Sequence, residues 1–158
     1  MTDALKTLEA SAFFEGIKTS ELKEIVALAS FKHFARDELI AKESEHGDSL
    51  YMILSGRVDI SVSLAGAKET EKIASLNEGE LVGEMVLLGK TRRSANIKSK
   101  EAVDVLEWKI DKLLNYFEKH NNVGYLFMRN IAASIAERLA NTNQVLRNVL
   151  AMPKNVIL

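Results

Sequence analysis

The sequence predicts an α+β fold that is mainly β, a barrel or jelly roll with short helices before it and a long helix after it. Between Phe31 and Leu106, short apolar runs are punctuated by Gly47-Asp48, Gly56 and Ala65-Gly66, which is the spacing of a many-stranded antiparallel sheet. Within that region Val58, Ile60, Val62 and Leu64 alternate with Asp59, Ser61 and Ser63, the pattern of a strand with one buried and one wet face. On either side the apolar period changes to that of a helix.

Residues 3–29 read as short helices. Thr19 is placed to cap a helix in which Leu22, Ile25, Val26 and Ala29 share a face. Residues 30–110 form the barrel, with Ala65-Gly66-Ala67 as a hairpin tip, further strands at Ala95–Ile97 and Val103–Leu106, and Trp108 near the sheet's end. The helical period returns over 111–152. Leu113, Leu114 and Phe117 mark a short helix, broken around Asn121-Asn122-Val123-Gly124. A longer helix then runs to about Ala151 and is stopped by Pro153. From Tyr125 to Leu150 it measures ~39 Å at 1.5 Å per residue. The whole chain, 1–158, is expected to be one domain.

Composition excludes several functions. With no cysteine there is no disulfide, thiolate metal site or cysteine nucleophile. A net charge of -1 argues against general affinity for nucleic acid or anionic membrane. No signal peptide or long apolar run is visible, so the expected location is the cytoplasm. His33, His46 and His120 are scattered and read as surface residues, not as metal ligands on neighbouring strands. No nucleophile motif is present, and Gly89-Lys90-Thr91 lacks the upstream glycine of a P-loop, since that position is Glu84. The expectation is a protein that is not an enzyme.

The informative stretch is Gly79 to Ile97. Its apolar core, Met85-Val86-Leu87-Leu88, follows Gly83-Glu84 and precedes a basic turn ending in Arg93-Ser94-Ala95. One or two helical turns beginning near Gly83 aim free backbone N–H groups and the positive end of the dipole at one spot, which suits a single phosphate. Arg93 returns to that spot, and its planar fork matches a phosphate better than an ammonium does. Glu84 is out of place beside a phosphate unless it serves another part of the ligand. A carboxylate accepts hydrogen bonds, and a ribose hydroxyl is the obvious donor.

G-E-M-V-L-L followed by R-S-A resembles the phosphate-binding cassette of the cyclic nucleotide-binding domain family, with Val86 where alanine is usual and Arg92 where many members have proline. Gly47 to Val58 resembles the same family's first glycine-bearing hairpin, in which the glycines shape the barrel without binding ligand. The resemblance covers roughly residues 7–150 and implies a double-stranded β-helix jelly roll. It implies that Arg93, Ser94, Ala95 and the backbone of Gly83 to Met85 hold a cyclic phosphate, and that Glu84 takes the ribose 2′-hydroxyl. Ile60 and Ile73 would line the base. The run A-E-R-L-A-N-T-N resembles a family dimer helix, which makes Thr142 and Asn143 either contacts to the base, one from each subunit, or polar spacers in the seam.

The implied ligand is cAMP or cGMP, with cAMP preferred, and no cofactor or metal is called for. A homodimer is expected along Ile131, Ile135, Leu139, Leu146 and Val149, a stripe that loses nearly all charge after Arg138. Only eight residues follow Leu150, so the expected role is a sensor acting on an unknown downstream protein, with no DNA-binding domain of its own. The alternative is a degenerate barrel that keeps the fold and the dimer helix as an interaction module without a nucleotide. An intact Glu84 and Arg93 pair separates the two.

Overall fold

The computed structural model describes residues 2–64, 69–89 and 92–151. Helix α1 (Thr2–Ala10), a 3-10 turn (Ala12–Phe14) and α2 (Thr19–Ala27) come first. Eight strands are described: β1 (Ser30–Phe34), β2 (Leu39–Ala41), β3 (Ser49–Ser55), β4 (Val58–Ser63), β5 (Thr70–Leu76), β6 (Leu81–Val82), β7 (Asn96–Ser99) and β8 (Val103–Lys109). Helices α3 (Ile110–Lys119) and α4 (Asn121–Ala151) end the described chain.

The strands form two antiparallel four-stranded sheets, ordered β1-β8-β3-β6 and β2-β7-β4-β5, the jelly roll that the strand spacing predicts. Between the sheets lies an apolar filling of Tyr51, Ile53, Val58, Leu76, Val82, Ile97, Val103 and Val105. The helices pack on the other face of the first sheet, where Leu50, Met52, Leu81, Leu106 and Trp108 meet Leu8, Leu22, Ile25, Phe117, Phe127 and Ile131. This explains why β3 reads as a continuous apolar run, whereas β4 alternates: β3 is covered on both faces and β4 on one. Each of these fully buried side chains contributes about 1.5–3 kcal/mol. Trp108 ties the layers together, donating from Nε1 to the carbonyl of Ile25 at 2.7 Å.

Several local expectations are corrected. Thr19 does not cap α2. Lys18 occupies that position, its backbone N–H donates to Glu21 Oε2 at 3.1 Å, and the Thr19 hydroxyl donates to Glu9. The break between the last two helices falls at His120, and Asn121–Gly124 is already helical. Gly124 is where α4 crosses α3, since a Cβ there would stand 2.8 Å from Phe117 Cβ. On β4 burial fades along the strand, and Leu64 beyond its end is mostly exposed. The hairpin tip at 65–67 and Pro153 lie outside the described residues. His33, His46 and His120 are all exposed.

Helix α4 has 31 residues, about 46 Å at 1.5 Å per residue. The proposed dimer stripe changes character along it. Ile131, like Phe127 one turn earlier, is buried within the protomer and not free for a partner, and Ile135 is partly buried against the same core. From Leu139 onward the apolar residues are exposed, including Val145, Leu146, Val149 and Leu150. Among the described residues no helix is long and apolar enough to cross a membrane.

Candidate functional site

Strand β6 is followed by Gly83, whose φ of 90° lets the chain turn sharply into a 3-10 turn, Glu84–Val86. The helical segment expected from the sequence is thus a single short turn. Leu87 anchors it in the core and Val86 packs alongside, while Leu88 faces out. The returning chain is held against the loop before β3. Arg93 N–H donates to Glu45 O at 2.9 Å, and Ser44 N–H to Arg93 O at 2.8 Å.

Arg93 is the unusual residue. It is only 8% exposed, its Nη2 donates to Ser49 O at 2.8 Å, and its guanidinium lies over the Tyr51 ring at 5.5 Å. Nη1 is buried with no hydrogen-bond partner, and no carboxylate pairs with Arg93 among the described residues. A buried cation left this way costs several kcal/mol unless an anion completes it. Gly47 and Gly83 flank the guanidinium so closely that a Cβ on either would overlap it. Gly47, read from the sequence as purely structural, therefore also makes room for this side chain.

Arg93 lines a cavity of about 940 Å³ that opens between the second sheet, the turn after β6 and α4. The structure brings together nearly all the residues singled out in the sequence. Gly83, Glu84, Met85, Arg93, Ser94 and Ala95 form one wall, Ile60 and Ile73 another, and Thr142 reaches in from α4. Asn143 does not line this cavity. Of the two adjacent arginines, Arg93 is buried, whereas Arg92 sits exposed at the rim with Nη1 donating to Ser44 O at 2.7 Å.

Glu84 is engaged by a residue of α4. Its Oε1 accepts from Arg138 Nη1 at 2.8 Å, and Arg138 Nη2 reaches Leu81 O at 3.4 Å. Arg138 was missed because 54 residues separate the partners; its position one turn before Thr142 on α4 is the signal that could have found it. Tyr51 was also missed, since it reads as one more apolar member of β3. Burial, and then the Glu107 carboxylate, push the Tyr51 phenol above its ordinary range, so it stays a neutral donor. Nearby, a hydrogen bond from Lys109 holds Asp48 below the usual carboxylate range, and the same bond raises Lys109.

A cavity with a buried, half-satisfied arginine, a carboxylate beside it and an aliphatic wall suits a ligand that joins an anion to a hydroxylated ring and a flat apolar group. The protein-family model described as the cyclic nucleotide-binding domain matches residues 31–120. The chain belongs to this family. It is 31% identical over 106 residues to the cAMP-dependent protein kinase regulatory subunit of Candida albicans, covering 67% of this chain and 21% of that protein. To glutaminase 2 of Bradyrhizobium diazoefficiens it is 29% identical over 136 residues, 86% of this chain and 21% of the other. Among solved structures, the catabolite activator protein of Thermus thermophilus superposes with a TM-score of 0.77 at 26% identity, over 88% of this chain and 63% of that one. The chain spans about a fifth of the length of the first curated relatives it matches. As a cyclic nucleotide-binding domain it is of a regulatory class.

Proposed function

We propose that this domain binds one cyclic nucleotide per protomer, cAMP in preference to cGMP, and passes the signal through α4 in a homodimer. The observation that carries the reading is the buried Arg93, whose Nη1 lacks a partner at the wall of the cavity. A degenerate barrel gains nothing from keeping such a group, and two glycines are spent on accommodating it. In this reading Arg93, Ser94, Ala95 and the backbone from Gly83 to Met85 hold the cyclic phosphate. Glu84 accepts the ribose 2′-hydroxyl alongside its bond from Arg138, which a carboxylate with two oxygens can do. Ile60 and Ile73 cover one face of the base.

Preference for adenine rests on Thr142. Its hydroxyl donates to Arg138 O at 2.9 Å, which leaves the oxygen as an acceptor toward the cavity. Adenine offers an amino donor where guanine offers a carbonyl, so the acceptor suits adenine. Asn143, which does not line its own protomer's cavity, is available to the second protomer. The downstream output, and the activity of any longer protein containing this domain, belong to whatever α4 contacts.

Calorimetric titration with cAMP and cGMP tests the proposal. Both should bind, cAMP more tightly, and each should raise the unfolding free energy by ~2.7 kcal/mol at a hundred times its dissociation constant. Arg93→Leu should abolish the shift, while Arg92→Leu should leave most of it. Absence of any shift with either nucleotide at millimolar concentration would overturn the reading. A tenfold tighter constant for cGMP would overturn the preference alone.

A further inference from the structure

We propose that Tyr51 and Glu107 are positioning residues for ligand binding, together holding the Arg93 guanidinium at the cavity wall. The inference rests on the nucleotide reading of the cavity, and its test separates the two.

A guanidinium buried with a single hydrogen bond is poorly fixed. Ser49 O holds Nη2 of Arg93, but one contact leaves the fork free to pivot. The Tyr51 ring supplies the second constraint, a face 5.5 Å from the Arg93 Cζ atom on which the cation is attracted to the ring's electron density. Tyr51 is itself fixed at its far end. It sits opposite Glu107 across the β3–β8 ladder, and its hydroxyl donates to Glu107 Oε1 at 3.3 Å. The Glu107 side chain is only 14% exposed and lies between two ammonium groups, Lys109 at 3.8 Å and Lys32 at 3.9 Å. Lys109 in turn bonds both carboxylate oxygens of Asp48, at 2.9 and 3.0 Å. Asp48 stands between Gly47, whose missing Cβ leaves room for the guanidinium, and Ser49, whose carbonyl accepts from it.

The contacts therefore close on themselves, from Arg93 through Tyr51, Glu107, Lys109 and Asp48 back to Ser49. A carboxylate accepting from the phenol also pushes electron density into the ring and deepens the face that the cation sees. The ring could otherwise serve only as core filling, in which case its loss would lower stability and leave binding intact. Arg93 and Glu107 never touch, so neither identity alone suggests the link.

The experiment compares wild type with Tyr51→Phe, Tyr51→Leu and Glu107→Gln by cAMP calorimetry and by the NMR resonance of Arg93 Nε–H. In the unliganded wild type the ring should shift that resonance upfield. Tyr51→Leu should abolish the upfield shift and weaken cAMP by about tenfold or more, the scale of a desolvated cation–π contact. Tyr51→Phe and Glu107→Gln keep the packing and should each weaken cAMP by about two- to fivefold with the melting temperature nearly unchanged. A folded Tyr51→Leu protein with wild-type affinity and an unmoved Arg93 resonance overturns the proposal. If Tyr51→Leu fails to fold, wild-type binding by both of the other variants overturns it instead. If wild type binds neither cAMP nor cGMP, the nucleotide reading fails, while the Arg93 resonance in the same variants still decides whether Tyr51 and Glu107 hold the side chain.

Discussion

Gly83 is under two constraints at once, and a neighbour allows them to be separated. Its φ of 90° disfavours any residue with a Cβ, and a Cβ there would also overlap Arg93 Nη1. Gly79 has a similar φ of 82°, but a Cβ on it would meet nothing within 4 Å. Gly79→Ala should therefore cost only the backbone term, about 1–2 kcal/mol, and leave the nucleotide dissociation constant unchanged. Gly83→Ala should cost at least as much and weaken binding more than tenfold, because Arg93 must move. Chemical denaturation paired with calorimetry checks both, and equal effects on binding would show that Arg93 does not depend on the empty space beside Gly83. Gly47 belongs to the same argument. Its role was invisible in sequence because Gly47-Asp48 looks like any turn, and the side chain it accommodates arrives from Arg93 in the adjoining cassette.

Among the elements, α4 and the turn after β6 meet through one ion pair, Arg138 with Glu84. The Glu84 side chain is 12% exposed and that of Arg138 39%, so the pair is partly screened and worth about 1–2 kcal/mol, below the range for a fully buried one. Arg138→Ala should lower stability by about that amount. A double-mutant cycle with Glu84→Gln should then be clearly non-additive, the second change costing little once the first is made. Additive losses would mean that the pair does not couple helix and turn. The sequence displayed contiguous features well. The alternation of β4, the doubly covered run of β3 and the cassette from Gly83 to Ala95 each lie within one short segment and carry their own period or spacing. What it concealed are meetings between distant segments, such as Arg138 with Glu84. Local ambiguity accounts for the other misses: Asn121-Asn122-Val123-Gly124 has a breaker's composition, and only the crossing of α3 explains a glycine inside a helix.

For the molecule as a whole, the far half of α4 stands out. Leu139, Leu146 and Val149 are exposed along it, and Arg147 is the one charged side chain between Ala140 and Ala151. Ile131, in the inner part of the same stripe, already serves the protomer's core, so the proposed dimer seam would begin near Leu139. Wild type should scatter light as a dimer, and Leu139→Glu should yield a monomer that still binds nucleotide, more weakly if Asn143 reaches the second protomer's base. A wild-type monomer with and without nucleotide would remove this route for the signal. Trp108 offers a way to watch the signal from inside. It is the chain's single tryptophan, it lies at the junction of barrel and helices bonded to Ile25 O, and it does not line the cavity. Its fluorescence should therefore be blue-shifted and blind to the ligand itself. Any change in emission on adding nucleotide is then a direct optical record of the helices moving on the sheet.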